Sequence, residues 1–214
     1  MLNPELDKLI QDLISQWNIA ERRIKKAEQV HGNEVVVPAI FELRYAGRKL
    51  IDVLEIVLKK DVRDDAEAHE QARRYLADGI EDCVKAKHDA IDAMVDFVTN
   101  WFNEIEQKLG LHPLTELFPE YLDVTSRIAD VQDKIAQSRE RRGEPRDGVY
   151  DSIENDDYQP ILQLFNKMRL SRARVQRIAA KQKWREIIVL WSTIIAAIGG
   201  IAAVIAVLIE IHKS

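Results

Sequence analysis

Residues 187–209, IIVLWSTIIAAIGGIAAVIAVLI, run for twenty-three positions without a charge or a proline, and nothing in them is more polar than Ser192 and Thr193. At about 1.5 Å rise per residue the stretch is roughly 34 Å long, against a hydrocarbon core of about 30 Å, which predicts one transmembrane helix with modest tilt. Residues 160–186 ahead of it hold eight Lys and Arg and a single acid, Glu186, whereas beyond it only Lys213 is permanently basic. The positive-inside rule then places the N-terminal part in the cytoplasm, in a single-pass protein of the cell's inner (plasma) membrane. Trp184 and Trp191 fall near the inner headgroup level, where indole rings sit well. The expected organisation is a cytosolic helical domain at 1–159, a basic stalk helix at 160–186, the span at 187–209 and a short extracytoplasmic tail at 210–214.

Charge supports this division. The net charge of −5 conceals +7 in residues 160–186 and, since 210–214 are neutral, −12 in residues 1–159. An acidic body on a basic stalk suits a stalk facing anionic lipid headgroups and argues against a nonspecific nucleic-acid binder. The opening MLNPELDKLI lacks an apolar core and carries acids, so no cleaved secretory signal is expected. A lone cysteine, Cys83, excludes an internal disulfide and fits a reducing compartment.

The periodicity of residues 1–159 is helical throughout. Asn3-Pro4 opens a helix in which Leu6, Ile10, Leu13, Trp17, Ala20, Ile24 and Ala27 step by alternate fours and threes. Pro38 restarts the chain into a second helix to about Lys60, and Asp64-Asp65 begins a third reaching Leu109, in which Gly79 marks a possible bend. Gly110 and Pro113 precede a fourth with Leu117, Tyr121, Val124, Ile128, Val131 and Ile135 at heptad spacing. GEPRDGVYDSIENDD, residues 143–157, has the composition of an acidic linker, and Pro160 begins a helix without a breaker up to the span. No segment alternates like a half-buried strand. The fold class is therefore all-α, a four-helix bundle or a helical oligomer.

Catalysis is not expected. G-x-G-x-x-G, G-x-x-x-x-G-K-[ST], C-x-x-C and H-E-x-x-H are all absent, and His31, His69, His88, His112 and His212 are not paired at ligand spacing, so each reads as a surface or loop residue and not a ligand. Asp78, Asp82, Asp89, Asp92 and Asp96 make an acidic row interleaved with Lys85 and Lys87, which reads as a solvated face and not a metal site. No metal or cofactor is implied.

Two features suit binding. In FELRYAGRKL, Arg44 and Arg48 lie four apart beside Lys49 and Tyr45, and the third helix adds Arg73-Arg74-Tyr75; arginine beside an aromatic fits a phosphate and a base. The simpler alternative pairs Arg48 with Asp52 and Arg44 with an acid of a neighbouring helix. Within the span, Ala196, Gly199, Gly200 and Ala203 form a small-residue face that favours self-association, and in an oligomer Ser192 and Thr193 would line the cytoplasmic half of a narrow pore. About four subunits would be needed to enclose a path with one helix each.

The basic-aromatic helix FELRYAGRKL, the stalk KMRLSRARVQRIAAKQKWRE and the C-terminal span together resemble the membrane effectors of bacterial antiphage defence, most nearly the Hailong type. That resemblance implies a homotetrameric ion channel controlled by a nucleotide or single-stranded oligonucleotide made by a partner nucleotidyltransferase. The ligand-binding assignment of Arg44, Arg48, Lys49, Arg73 and Arg74 comes from the residues themselves and not from the resemblance. The alternative is a tail-anchored scaffold or tether whose heptad faces bind a partner while the span only fixes location.

Overall fold

The computed structural model describes residues 4–59, 65–141 and 146–171, and beyond them 177, 180, 184, 187–193 and 196. The chain is all-α, with no strand among the described residues. Its helices in order are α1 (Pro4–Val30), α2 (Val37–Lys59), α3 (Ala66–Leu109), α4 (Leu111–Leu117), α5 (Tyr121–Glu140), α6 (Asp147–Ser152) and α7 (Tyr158–Leu170).

The spine is α3, 44 residues in one piece, or about 66 Å by rise per residue. Asp65 caps it, the carboxylate accepting from the Ala68 amide at 2.9 Å, and Gly110 at φ 79° ends it in a conformation that L side chains rarely adopt. Gly79 does not interrupt the helix, which is one element and not two. It lies where Leu13 of α1 and the Ala46–Lys49 turn of α2 converge on α3, so that an added Cβ would stand 3.4 Å from both Leu13 Cδ1 and Lys49 Cβ.

Both α1 and α2 pack along the N-terminal half of this spine and touch each other much less. The C-terminal half instead gathers α5 and α7, with Phe97, Trp101 and Phe102 of α3 meeting Phe165 and Tyr121 edge-on or tilted at 4.9–6.1 Å. Instead of one four-helix bundle there are thus two overlapping packings that share α3. The end of α1 joins the second through His31, whose Nε2–H donates to the Ala93 carbonyl at 2.9 Å and whose ring stacks on Phe97.

The composition of residues 143–157 predicts a linker, but residues 147–157 are helical. From Asp147 to Leu170 the backbone stays helical, passing between α6 and α7 through a π turn at Ile153–Asp157 in which the Tyr158 amide bonds back five residues to Ile153. Buried residues fall at Tyr150, Ile153, Tyr158, Ile161, Leu164, Phe165 and Met168. The step of five from Ile153 to Tyr158 would rotate an α-helix off its core face, and the wider π turn absorbs it. Pro160, expected to start a helix, sits inside this one, because the carbonyl its ring would strike belongs to Asp156 in the π turn, where α-pairing has already lapsed. Residues 161–168, expected in the stalk, therefore supply core side chains.

Residues 187–193 are helical, with the side chains of Ile187 to Trp191 exposed and the hydroxyls of Ser192 and Thr193 donating to the Val189 carbonyl at 2.7 and 2.9 Å. Ala196 is helical too. Among the described residues no helix is long and apolar enough to cross a membrane. Most of the 187–209 stretch, including Gly199, Gly200 and Ala203, lies outside the described residues, as does the 210–214 tail.

The close crossing at Gly79 sets one expectation. Contacts at 3.4 Å are ordinary for a methyl group, and alanine favours an interior helix position by about 1 kcal/mol over glycine, so Gly79→Ala should leave the urea midpoint unchanged or raise it. Gly79→Leu should lower stability by about 2 kcal/mol or more through overpacking.

Candidate functional site

The structure separates the basic residues that the sequence groups together. Arg48 pairs with Asp52 at 2.7 Å on its own helix, and Lys49 reaches Asp78 at 3.5 Å with its ammonium 4.9 Å above the Tyr75 ring. Arg73 forks onto Glu70 through two 2.8 Å bonds, and Arg74 shares that carboxylate at 3.6 Å. Arg44 alone of the five is exposed with no carboxylate at ion-pair distance among the described residues. A groove of about 260 Å³ between α2 and α3 is lined by Asp52, Glu55, Ile56, Lys59, Gln71 and Tyr75. Its two carboxylates against one ammonium do not suit a polyanion, and none of the four arginines lines it.

The densest polar constellation lies elsewhere, on α6 and the π turn. DGVYDSIENDD contains five acids, and helices on three sides supply cations to four of them. From α3, the Lys87 ammonium and the His88 ring meet Asp147 Oδ1 at 3.2 and 3.1 Å. From α1, Arg23 bridges Asp151 at 2.8 Å and Glu154 at 2.6 Å, and Lys26 adds a longer contact of 3.6 Å to Glu154. From α5, Lys134 pairs with Asp157 at 2.5 Å. The fifth acid, Asp156, accepts from the Ser152 hydroxyl at 3.3 Å.

Tyr150 ties the constellation together. Its ring stacks on His88 with centroids 4.0 Å apart, and its hydroxyl donates to Asp92, which also receives Arg139 of α5 at 2.5 Å. Asp92 is therefore part of a half-buried network and not of a solvated face. Its charge also raises the carboxyl pKa values of neighbouring Asp89 and Asp96, where burial is the larger cause. His88, expected at the surface, is buried for the same reason. Among the described residues no group of His, Cys, Asp or Glu is arranged to hold a metal.

Burial sets the protonation of the clasp. Lys87 is only 4% exposed, so its charge depends on Asp147 for compensation. Burial alone would raise the Asp147 pKa, but the bonds from Lys87 and His88 outweigh it and hold the carboxyl below its ordinary value. Burial and the neighbouring Lys87 charge lower the His88 pKa against the pull of Asp147. Neutral His88 then carries its proton on Nε2 and donates it to the ionised Asp147. Burial and the Asp92 charge push the Tyr150 hydroxyl up to about 12, so it remains a donor at neutral pH.

The apolar face that buries Tyr150 and Ile153 was present in the sequence at a spacing of three, on the near side of Pro160. The cations that complete the site, Arg23, Lys87, Lys134 and Arg139, come from three helices separated in sequence and carry no common motif.

Two outcomes follow from this chemistry. Asp147→Ala strands the buried Lys87 charge, and with Asp147 itself partly solvated the loss should be about 2 kcal/mol in urea unfolding. Lys87→Met should cost less, because the carboxylate left behind reaches water. For His88, a folded pKa below the unfolded value of about 6.5 means that the unfolded chain takes the proton first, so stability present above that pH is lost as pH falls through it. Wild-type protein should therefore lose more stability between pH 7 and pH 5 than His88→Gln. The raised carboxyls of Glu42, Asp89 and Asp96 stabilise the fold on acidification in both proteins, so the difference between the two curves isolates His88.

No protein-family model matches this chain, nor does any curated protein or solved structure.

Proposed function

We propose that the chain is a membrane effector, in which the helical bundle controls an oligomeric ion-conducting pore built from residues 187–209. The observation that carries this reading is the pairing of that uncharged stretch with the ion-pair clasp on the helix that precedes it in sequence and ends at Leu170. A simple anchor needs no defined relation between its soluble domain and its span. Here the α6–α7 helix is held by cations from α1, α3 and α5, and Lys167, near its end, pairs with Glu120 at the start of α5. A change in bundle packing would therefore reach the root of the stalk.

The small-residue face of Ala196, Gly199, Gly200 and Ala203 supports close association of spans, and Ser192 and Thr193 supply the polar lining. The antiphage resemblance supplies the setting, with a tetramer and a nucleotide or oligonucleotide ligand. Because Lys49, Arg48, Arg73 and Arg74 are already paired with acids, such a ligand would have to displace those partners, and of the five only Arg44 has no such partner among the described residues.

The tether reading is favoured by a different observation, the exposed apolar side chains Phe41, Ile51 and Leu58 on α2, which suit a protein partner. Ion flux from proteoliposomes containing full-length protein separates the two. A channel gives flux that Gly200→Leu abolishes while the variant still inserts. Unchanged flux in the variant would remove the small-residue face from the mechanism, and silent vesicles holding only monomer would favour the tether.

A further inference from the structure

Among the helices α1 to α7, α2 carries the most exposed large apolar side chains. Its core side is served by Ala39, Leu43, Ala46 and Val53, which pack on α3. On the opposite side Phe41, Arg44, Arg48, Ile51, Glu55 and Leu58 step by 3, 4, 3, 4 and 3 residues. That is the spacing of a helix-pairing seam, yet it points to solvent, with Phe41 and Ile51 each 49% exposed and Leu58 84% exposed.

The order of these residues identifies what covers them. Read in reverse, the seam maps onto itself, Phe41 onto Leu58, Arg44 onto Glu55 and Arg48 onto Ile51. An antiparallel second copy would therefore set aromatic against aliphatic at both ends and a cation against a carboxylate one step in. At the centre the Arg48 stem would cover Ile51 while its guanidinium stays on Asp52. Arg44, without a carboxylate of its own among the described residues, gains Glu55 of the second copy, which is otherwise held only by exposed Lys59 at 3.1 Å. Such a two-fold contact is isologous and closes on itself.

We propose that α2 is a homodimer interface, in which two copies of this chain pair antiparallel through Phe41, Arg44, Arg48, Ile51, Glu55 and Leu58. The interface lies in the soluble bundle, is independent of any association between spans, and takes Arg44 and Arg48 for protein contact instead of an anionic ligand.

The test is disulfide trapping in full-length protein. Positions 41 and 58 are 17 residues apart along one helix, about 25 Å, too far for an internal bond, whereas in the antiparallel pair they face across the interface. The native Cys83 does not interfere, being fully buried with its thiol pushed up to about 11. Phe41→Cys/Leu58→Cys should give covalent dimer on mild oxidation, and neither single substitution should. Adding Arg44→Glu should suppress the dimer, and adding Arg44→Glu with Glu55→Arg should restore it. Crosslinking by either single cysteine would indicate parallel neighbours and overturn the proposal. Absence of crosslinking in the double variant would also overturn it, and protection of those cysteines by anionic vesicles in that case would assign the face to a lipid surface. Failure of the reversed pair to restore crosslinking would leave Arg44 to a ligand and overturn the proposed register.

Discussion

The acidic helix at residues 147–157 is stable as a helix only because three other helices bring cations to it. Taken alone, five acids in eleven residues repel one another and favour an open chain. Arg23, Lys26, Lys87 and Lys134 reverse that preference from α1, α3 and α5, and neutral His88 adds a hydrogen bond. The apolar face of Tyr150 and Ile153 can then bury, and the π turn hands it on to Tyr158 and Ile161 without loss of register. The rest of α7, as far as Leu170, takes its direction from that junction.

The same arrangement explains why the bundle divides into two packings along α3. Its upper half is organised around the Gly79 crossing, where Leu13 of α1 and the Ala46–Lys49 turn of α2 close on the spine. The lower half is aromatic and ionic, with Phe97, Trp101, Phe102 and Phe165 beside the Asp92, Arg139 and Tyr150 network. Buried ionic contacts are weak contributors to stability but costly to break singly, so they favour one arrangement over near neighbours.

The long helices were legible because their periodicity is strong and local. The seams of α1 and α5, the Asp65 cap and the Gly110 stop all follow from neighbours in sequence. The α6 helix was not legible, because its composition argues for a linker and the cations that override it are 23 to 131 residues from the acids they meet. Arg48 shows the converse: its partner Asp52 is one helical turn on, and the pairing could be read directly. His88 and Asp92 were misplaced for the reason that hid α6, since a residue cannot be recognised as buried before the element that buries it is known.

Amide hydrogen exchange across residues 147–158 of the full-length protein measures the clasp most directly. Protection there comparable with the middle of α3, lost in a variant lacking the Asp147 carboxylate while α1 and α2 stay protected, is the result expected of a helix held by ion pairs from three sides. Exchange at the rate of an open chain in the wild-type protein would contradict the clasp.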